Sequence, residues 1–334
     1  MNTFLLLHYM STLVNLFINC FTLFIIFKRT PANMRNVAAT VLNIIIWNFA
    51  GNITWGIMPF YPLFPLNCYQ IGGPFGRLLS KYDLGKYGFI LIVLFFLNAC
   101  VGVQLSFQFR WIQIALKERV QNMNKWWAYI YSASTHFWAS ALFYWLSQRM
   151  FLSPQDYPDF DQAYNTTPVF CMTPERSHFV AMLTVIVVSV LFASAVIIVL
   201  VYLCYRSLYN QRVTLTSRTM KMQKTFLKNL IILAHISILL GAVACTFAWA
   251  GYFFHTPNLE VLCVTAMLVV VNHGTIFDIA TLVIFRYYKN AALLFIKRAL
   301  RMIGLQATPI FPSIVTARES TNTTSHGTAR RSIP

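Results

Sequence analysis

The sequence predicts an all-α membrane protein, a bundle of seven transmembrane helices followed by an amphipathic eighth. Three observations carry that prediction. Of 334 residues, 57% are hydrophobic and only 10% are charged, whereas a soluble domain carries about 25% charged residues. Several runs exceed the roughly 18 apolar residues that read as a bilayer span. The remaining charges alternate along the chain, with basic and acidic connections taking turns.

Seven runs qualify, at about 3–27, 37–59, 87–109, 126–147, 179–204, 229–254 and 261–285. The first reads as a signal-anchor helix: no basic segment precedes it, it is too long for a leader's apolar core, and Lys28 and Arg29 follow it. The second ends among Pro59, Pro62 and Pro65. In the fourth, Trp126 and Trp127 open the run and Trp145 nearly closes it. At 1.5 Å per residue the two ends stand roughly 28 Å apart, the separation of the aromatic belts of a bilayer. Residues 1–304 form one membrane domain, and 305–334 read as a disordered polar tail.

Lys and Arg number three in 28–35, four in 110–125, six in 206–228 and eight after 285, which is 21 of the 26. Asp83, Asp156, Asp159, Asp161, Glu175 and Glu260 all fall in the other connections. The positive-inside rule then puts the amino terminus outside and the carboxyl terminus in the cytosol, as an odd number of spans requires. The net charge of +17 is a topology signal, aided by anionic inner-leaflet lipid. A nucleic-acid partner is not expected.

Of seven cysteines, only Cys68 and Cys171 fall in expected outer loops, on the oxidising side, where they can pair. Asn165-Thr166-Thr167 is a glycosylation sequon in the same loop as Cys171. Two further sequons, at Asn52 and Asn322, are expected to be silent, one inside the membrane and one on the cytosolic tail. Catalytic motifs are missing: there is no G-x-x-x-x-G-K-[ST], H-E-x-x-H, G-x-S-x-G or C-x-x-C, and the seven histidines are scattered. No enzyme, metal or cofactor is expected.

One acid interrupts the seventh run. Asp278 stands eight residues before Arg286, about 12 Å from the basic end. An intramembrane charge costs about 2.5–3.5 kcal/mol on insertion scales, so it turns inward and finds partners. Thr275 and Thr281 share its face, and Asn15, Asn43, Asn48, Asn52 and Asn98 are available on other spans. Asp278 with Asn48, Asn52 and Asn98 forms the expected switch network. The simpler reading is a structural hydrogen-bond hub. By depth, the outer halves of spans three, five, six and seven offer a ligand Phe96, Met182, Trp249, Tyr252, Met267, Asn272 and His273. No outer-half carboxylate suits an amine, so a neutral or anionic small molecule is expected.

Three features mark the basic side. Arg110 closes span three beside two aromatics. Arg218, Lys221, Lys224 and Lys228, spaced by three, three and four, form one basic helical face leading into span six. Beyond span seven, Leu293, Ile296, Leu300 and Ile303 form an apolar stripe flanked by Lys297, Arg298 and Arg301, the pattern of a helix lying on the inner leaflet. Seven spans, an outer amino terminus, a short basic third inner loop and an interfacial eighth helix together match a G-protein-coupled receptor.

The segments "RTPANMRNVAATVLNIIIWN", "MPFYPLFPLNCYQIGGPFGRL", "LSFQFR", "SRTMKMQKTFLKNLII" and "NHGTIFDIATLVIFRYYK" narrow the match. They resemble the nematode serpentine chemoreceptors of class H, Srh, or a close relative. Three departures are visible. Gln108 stands in place of a glutamate, span six lacks the usual proline, and Tyr288-Lys289 replaces a Tyr-Arg pair. The resemblance implies a plasma-membrane receptor of sensory neurons, ciliary, that detects a small environmental chemical and signals to a heterotrimeric G protein. Arg110, Arg218, Lys221, Lys224 and Lys228 are the expected G-protein contacts. The alternatives are a seven-helix ligand-gated channel subunit, with its amino terminus inside, and a polytopic transporter, which should display repeated halves.

Overall fold

The computed structural model describes residues 2–31, 34–63, 66–81, 84–116, 119, 124, 126–152, 157, 169–212, 216–244, 246–247, 251 and 258–302. The long helices follow the apolar runs: α1 (Asn2–Arg29), α2 (Arg35–Ile57), α4 (Gly85–Ala115), α5 (Trp126–Ser147), α6 (Arg176–Asn210), α7 (Ser217–Ser237) and α8 (Leu259–Ile284). A short α3 (Gly73–Lys81) precedes α4, and α9 (Arg286–Met302) follows α8. Backbone bonds within a helix satisfy every polar main-chain group locally, which is what a bilayer demands. The chain forms a membrane-type helical bundle. Residues up to Lys289 make one compact unit and those from Asn290 another.

Six of these helices are long and apolar enough to cross a membrane. Among the seven long helices the exception is α5. It is 22 residues long but spends many of its positions on Trp, Tyr and Ser, which score poorly in hydropathy although they suit membrane interfaces. The pattern of burial is inverted relative to a soluble protein. Leu13, Phe17, Trp138, Phe192 and Ile198 are exposed, while Asn15, Asn19, Thr22, Asn48, Asn52, Asp278 and Thr281 are buried. In the most apolar stretch of α6, only 6% of residues are buried inside the protein. Such a surface belongs in lipid.

The main packing partners are α2 with α4, α4 with α6 and α5, α1 with α2 and α8, and α8 with α7. Residues 238–243, which continue α7, wind as a π-helix in the span that lacks the usual proline. At one end of the bundle the connections fold into a small sheet of four antiparallel strands. These are β1 (Phe60–Pro62), β2 (Cys68–Ile71), β3 (Phe151–Leu152) and β4 (Val169–Met172), in the order β1-β2-β4-β3. The sequence reading placed only loops here. Cys68 on β2 stands opposite Cys171 on β4, and the two are joined by a disulfide. This disulfide end also holds the start of α1, where Phe4 packs on Tyr61 at 5.5 Å. The opposite, basic end carries the start of α7 and the close of α4 and α8.

Candidate functional site

The site grows from α1 and α8, which lie side by side and both begin at the disulfide end. Asn15 Nδ2 donates to the Val271 carbonyl at 3.1 Å, and Thr30 Oγ1 meets the Tyr288 hydroxyl at 3.1 Å. These two contacts fix the register along the whole pair. Asp278, seven residues past Val271, therefore lies level with Thr22, seven residues past Asn15. The third wall is α2. Gly274, one turn before Asp278, opens directly onto Asn48 and Asn52: a β-carbon there would lie 2.7 Å from Asn52 Nδ2 and 3.3 Å from Asn48 Cβ.

Asp278 is fully buried, as are Asn48, Thr22 and Thr281. Among the described residues, neither carboxyl oxygen of Asp278 has a hydrogen-bond partner. The side chains of Asn48 and Asn52, the Oδ1 atoms of Asn15 and Asn19, and the hydroxyls of Thr22 and Thr275 are equally short of partners. A buried unpaired polar group costs about 1–3 kcal/mol, so the groups of this seam concentrate a stability cost between α1, α2 and α8. Oxygen atoms and amides line the seam, and among the described residues no cation faces the carboxyl group. The stripe Ser11, Asn15, Asn19 and Thr22, spaced by four, four and three, was legible on the first apolar run, yet only Asn15 entered the expected cluster.

Asn98 belongs elsewhere. Its Oδ1 accepts from His136 Nδ1 at 2.7 Å and its Nδ2 donates to Ser140 Oγ at 2.9 Å, both on α5. Asn43 Nδ2 donates to His136 Nε2 at 3.1 Å, while its Oδ1 accepts from Trp47 Nε1 at 3.1 Å. Each role in this second network is forced by its neighbour, and His136 fits only as a neutral ring protonated on Nδ1. Thus Asn98, expected beside Asp278, faces α5 instead, because its side of α4 is turned away from α8. The two clusters are distinct.

The expected ligand residues divide in the same way. Phe96 and Met267 pack against one cluster near the disulfide end, built on Trp55, Met58, Phe60, Ile92, Phe170 and Val271. His273 joins them, with its ring centroid 5.4 Å from that of Phe96. Its Nδ1 donates to the Val270 carbonyl at 2.6 Å, and its Nε2 side faces Gly241 of the π turn. Asn272 turns toward α1, where its Oδ1 accepts from Ser11 Oγ at 2.8 Å. Trp249 and Tyr252 lie outside the described residues, as does the side chain of Met182. On the sheet side of this cluster, Phe60, Tyr69, Phe151 and Phe170 of the strands meet Phe89 of α4 at centroid separations of 5.3–6.1 Å. Tyr61 donates to the Glu260 carboxylate at the rim, and that bond raises the phenol above its ordinary range.

At the basic end, Lys221, Lys224 and Lys228 are exposed on α7, whose first turn is capped by Thr216 Oγ1 accepting from the Thr219 amide. The side chain of Arg218 lies outside the described residues, as do Asn165 and Ile303. Arg110 is buried and lines a small hollow with Asn36, Val37, Thr40, Ser106, Phe109, Gln113 and Phe226. Its guanidinium carbon lies 4.5 Å from the centre of the Phe226 ring. A cation–π contact of this kind contributes about 0.5–2 kcal/mol.

Residues 1–298 match the family model of the serpentine type 7TM GPCR chemoreceptor Srh. The chain belongs to the Srh family. A comparison with curated proteins finds none that matches. The Srh match extends across all seven long helices and most of α9, so α5 counts as a span despite its modest hydropathy. Membership makes the protein a seven-helix membrane receptor of the chemoreceptor type.

Proposed function

We propose that this Srh receptor binds a small neutral or anionic environmental chemical in the disulfide-end half of the bundle and signals to a heterotrimeric G protein at the basic end. The observation that carries the reading is the position of the Asp278 seam. It lies between the aromatic cluster holding Phe96, Met267 and His273 and the basic end holding Arg110 and the Lys221, Lys224 and Lys228 face. Its groups are brought together only by the packing of three helices, so a small shift of one helix redistributes their bonds. Asp278, Asn48 and Asn52 act as the switch in this reading, with Asn15, Asn19 and Thr22 as partners on α1. The π turn opposite His273 supplies the local irregularity in span six, and such turns recur at functional sites.

The orientation follows from the charges: disulfide end outside, basic end in the cytosol, α9 along the inner leaflet. A sensory-cilium plasma membrane and a glycan on Asn165 accord with it. The test has two stages. Tags on both ends, stained with and without permeabilisation, should expose the amino terminus and hide the carboxyl terminus. A panel of neutral and anionic odorants applied with a G-protein readout should then find an agonist whose response is lost in His273→Ala at equal surface expression. The reversed orientation would favour the channel-subunit alternative.

A further inference from the structure

Among the described residues, the helix ends at the basic side meet through aromatic contacts and a hydroxyl pair rather than an ion pair. We infer that Arg110, Phe226, Phe285, Tyr288 and Thr30 form a latch joining spans three, six, seven and one, and that its first link, Arg110 on Phe226, breaks when this end opens. The inference rests on the receptor reading for its purpose, but its test involves no G protein, so the two can fail separately.

Arg110 is only 6% exposed, and its Nε has no hydrogen-bond partner. Among the described residues no carboxylate lies within salt-bridge distance of it, and the neighbouring position 108 is Gln rather than an acid. A buried guanidinium without an anion needs some other source of negative potential, and the face of an aromatic ring supplies it. Phe226 is itself buried, with its ring 5.6 Å from that of Phe285, and Phe285 stands 5.7 Å from Tyr288. The Tyr288 hydroxyl then meets Thr30 Oγ1 at 3.1 Å, at the close of α1. Three of the four links join segments far apart in sequence, so the set exists only while the helix ends stay together.

The arrangement also has an alternative state. The hollow beside Arg110 is lined by Asn36, Ser106 and Gln113, which are polar groups that can receive the guanidinium once Phe226 withdraws. A side chain with two sets of partners, one aromatic and one polar, is the two-state element that a switch requires. The cationic partner keeps its charge throughout, so the latch responds to packing and not to ordinary changes of pH.

Cys204 provides a native reporter. It is fully buried on α6 and lies within electrostatic reach of Arg110. The experiment uses full-length receptor in membranes, with Cys20, Cys100, Cys245 and Cys263 replaced by alanine. A soluble maleimide is applied from the basic side, and the rate of Cys204 labelling is measured. Phe226→Ala and Phe285→Ala should each raise that rate roughly tenfold, and Phe226→Trp, which keeps a ring, should leave it near the parent value. Leu233→Ala, a buried control two turns along α7, should leave it low. Unchanged labelling in both alanine variants, or an equal rise in Leu233→Ala, overturns the latch. If the alanine variants do not reach the membrane, Tyr288→Phe decides the matter: a rise of about two- to fivefold supports the latch, and no rise overturns it.

Discussion

Gly274 of α8 leaves room for Asn52 of α2 and for nothing more, since a β-carbon at 274 would stand 2.7 Å from Asn52 Nδ2. Spans two and seven therefore approach along a face where one helix contributes only backbone. Gly274→Ala should destabilise the receptor by about 1–3 kcal/mol through overpacking. Adding Asn52→Ala should recover part of that loss, because the clash has lost its second member. Thermal unfolding of the purified single and double variants measures both effects.

Asp278→Asn replaces a buried carboxyl that lacks partners with an amide of the same size. The exchange conserves the volume of the side chain, so the packing around position 278 is kept. The variant should therefore reach the cell surface and melt no lower than the parent, while its basal or evoked signalling changes. A well-expressed variant that signals normally would reduce the seam to a structural hub.

His136 should prove a structural clamp rather than a sensor. His136→Ala leaves Asn43 Nδ2 and Asn98 Oδ1 unpaired, at about 1–3 kcal/mol for each buried group left without a partner. A double-mutant cycle of His136→Ala with Asn98→Ala should return a coupling of about 0.6 kcal/mol, the average between membrane helices, and no more than about 1.7 kcal/mol. Ligand potency in the surviving protein should be unaltered.

The disulfide closes a loop of 103 residues. In the chain-entropy account, a bridge over so long a loop stabilises by about 2–5 kcal/mol. Cys68→Ser, Cys171→Ser and the double variant should all lower surface expression and melting temperature to the same extent. A single variant markedly worse than the double would instead point to damage by the lone remaining thiol.

The helices were legible because their signal is local. Each apolar run satisfies its own backbone bonds, and the charges between runs record which side they lie on. The limits of α1 and α8 fall within a few residues of the expected ones, while α4 and α6 overrun theirs into the connections. The four-stranded sheet was not legible. Its strands are two to four residues long, and its central pairing joins Cys68 to Cys171, parts of the chain about a hundred residues apart. The π turn also escaped. The missing proline in span six said only that the usual kink was lacking, not what replaced it.

Asp278 marks the boundary between the two kinds of knowledge. The sequence by itself determined that it faces inward, with Thr275 and Thr281 beside it, because a carboxyl in hydrocarbon is too costly to leave turned outward. The sequence also offered it Asn43, Asn48, Asn52 and Asn98 on other spans, without separating them. Only the tertiary structure decided that the Asn48 and Asn52 face meets α8, while Asn43 and Asn98 turn to His136 on α5. It likewise decided that Arg110 rests on Phe226. Periodicity fixes which residues share a face, whereas the neighbour of that face depends on how seven rods rotate to pack, which no single run encodes.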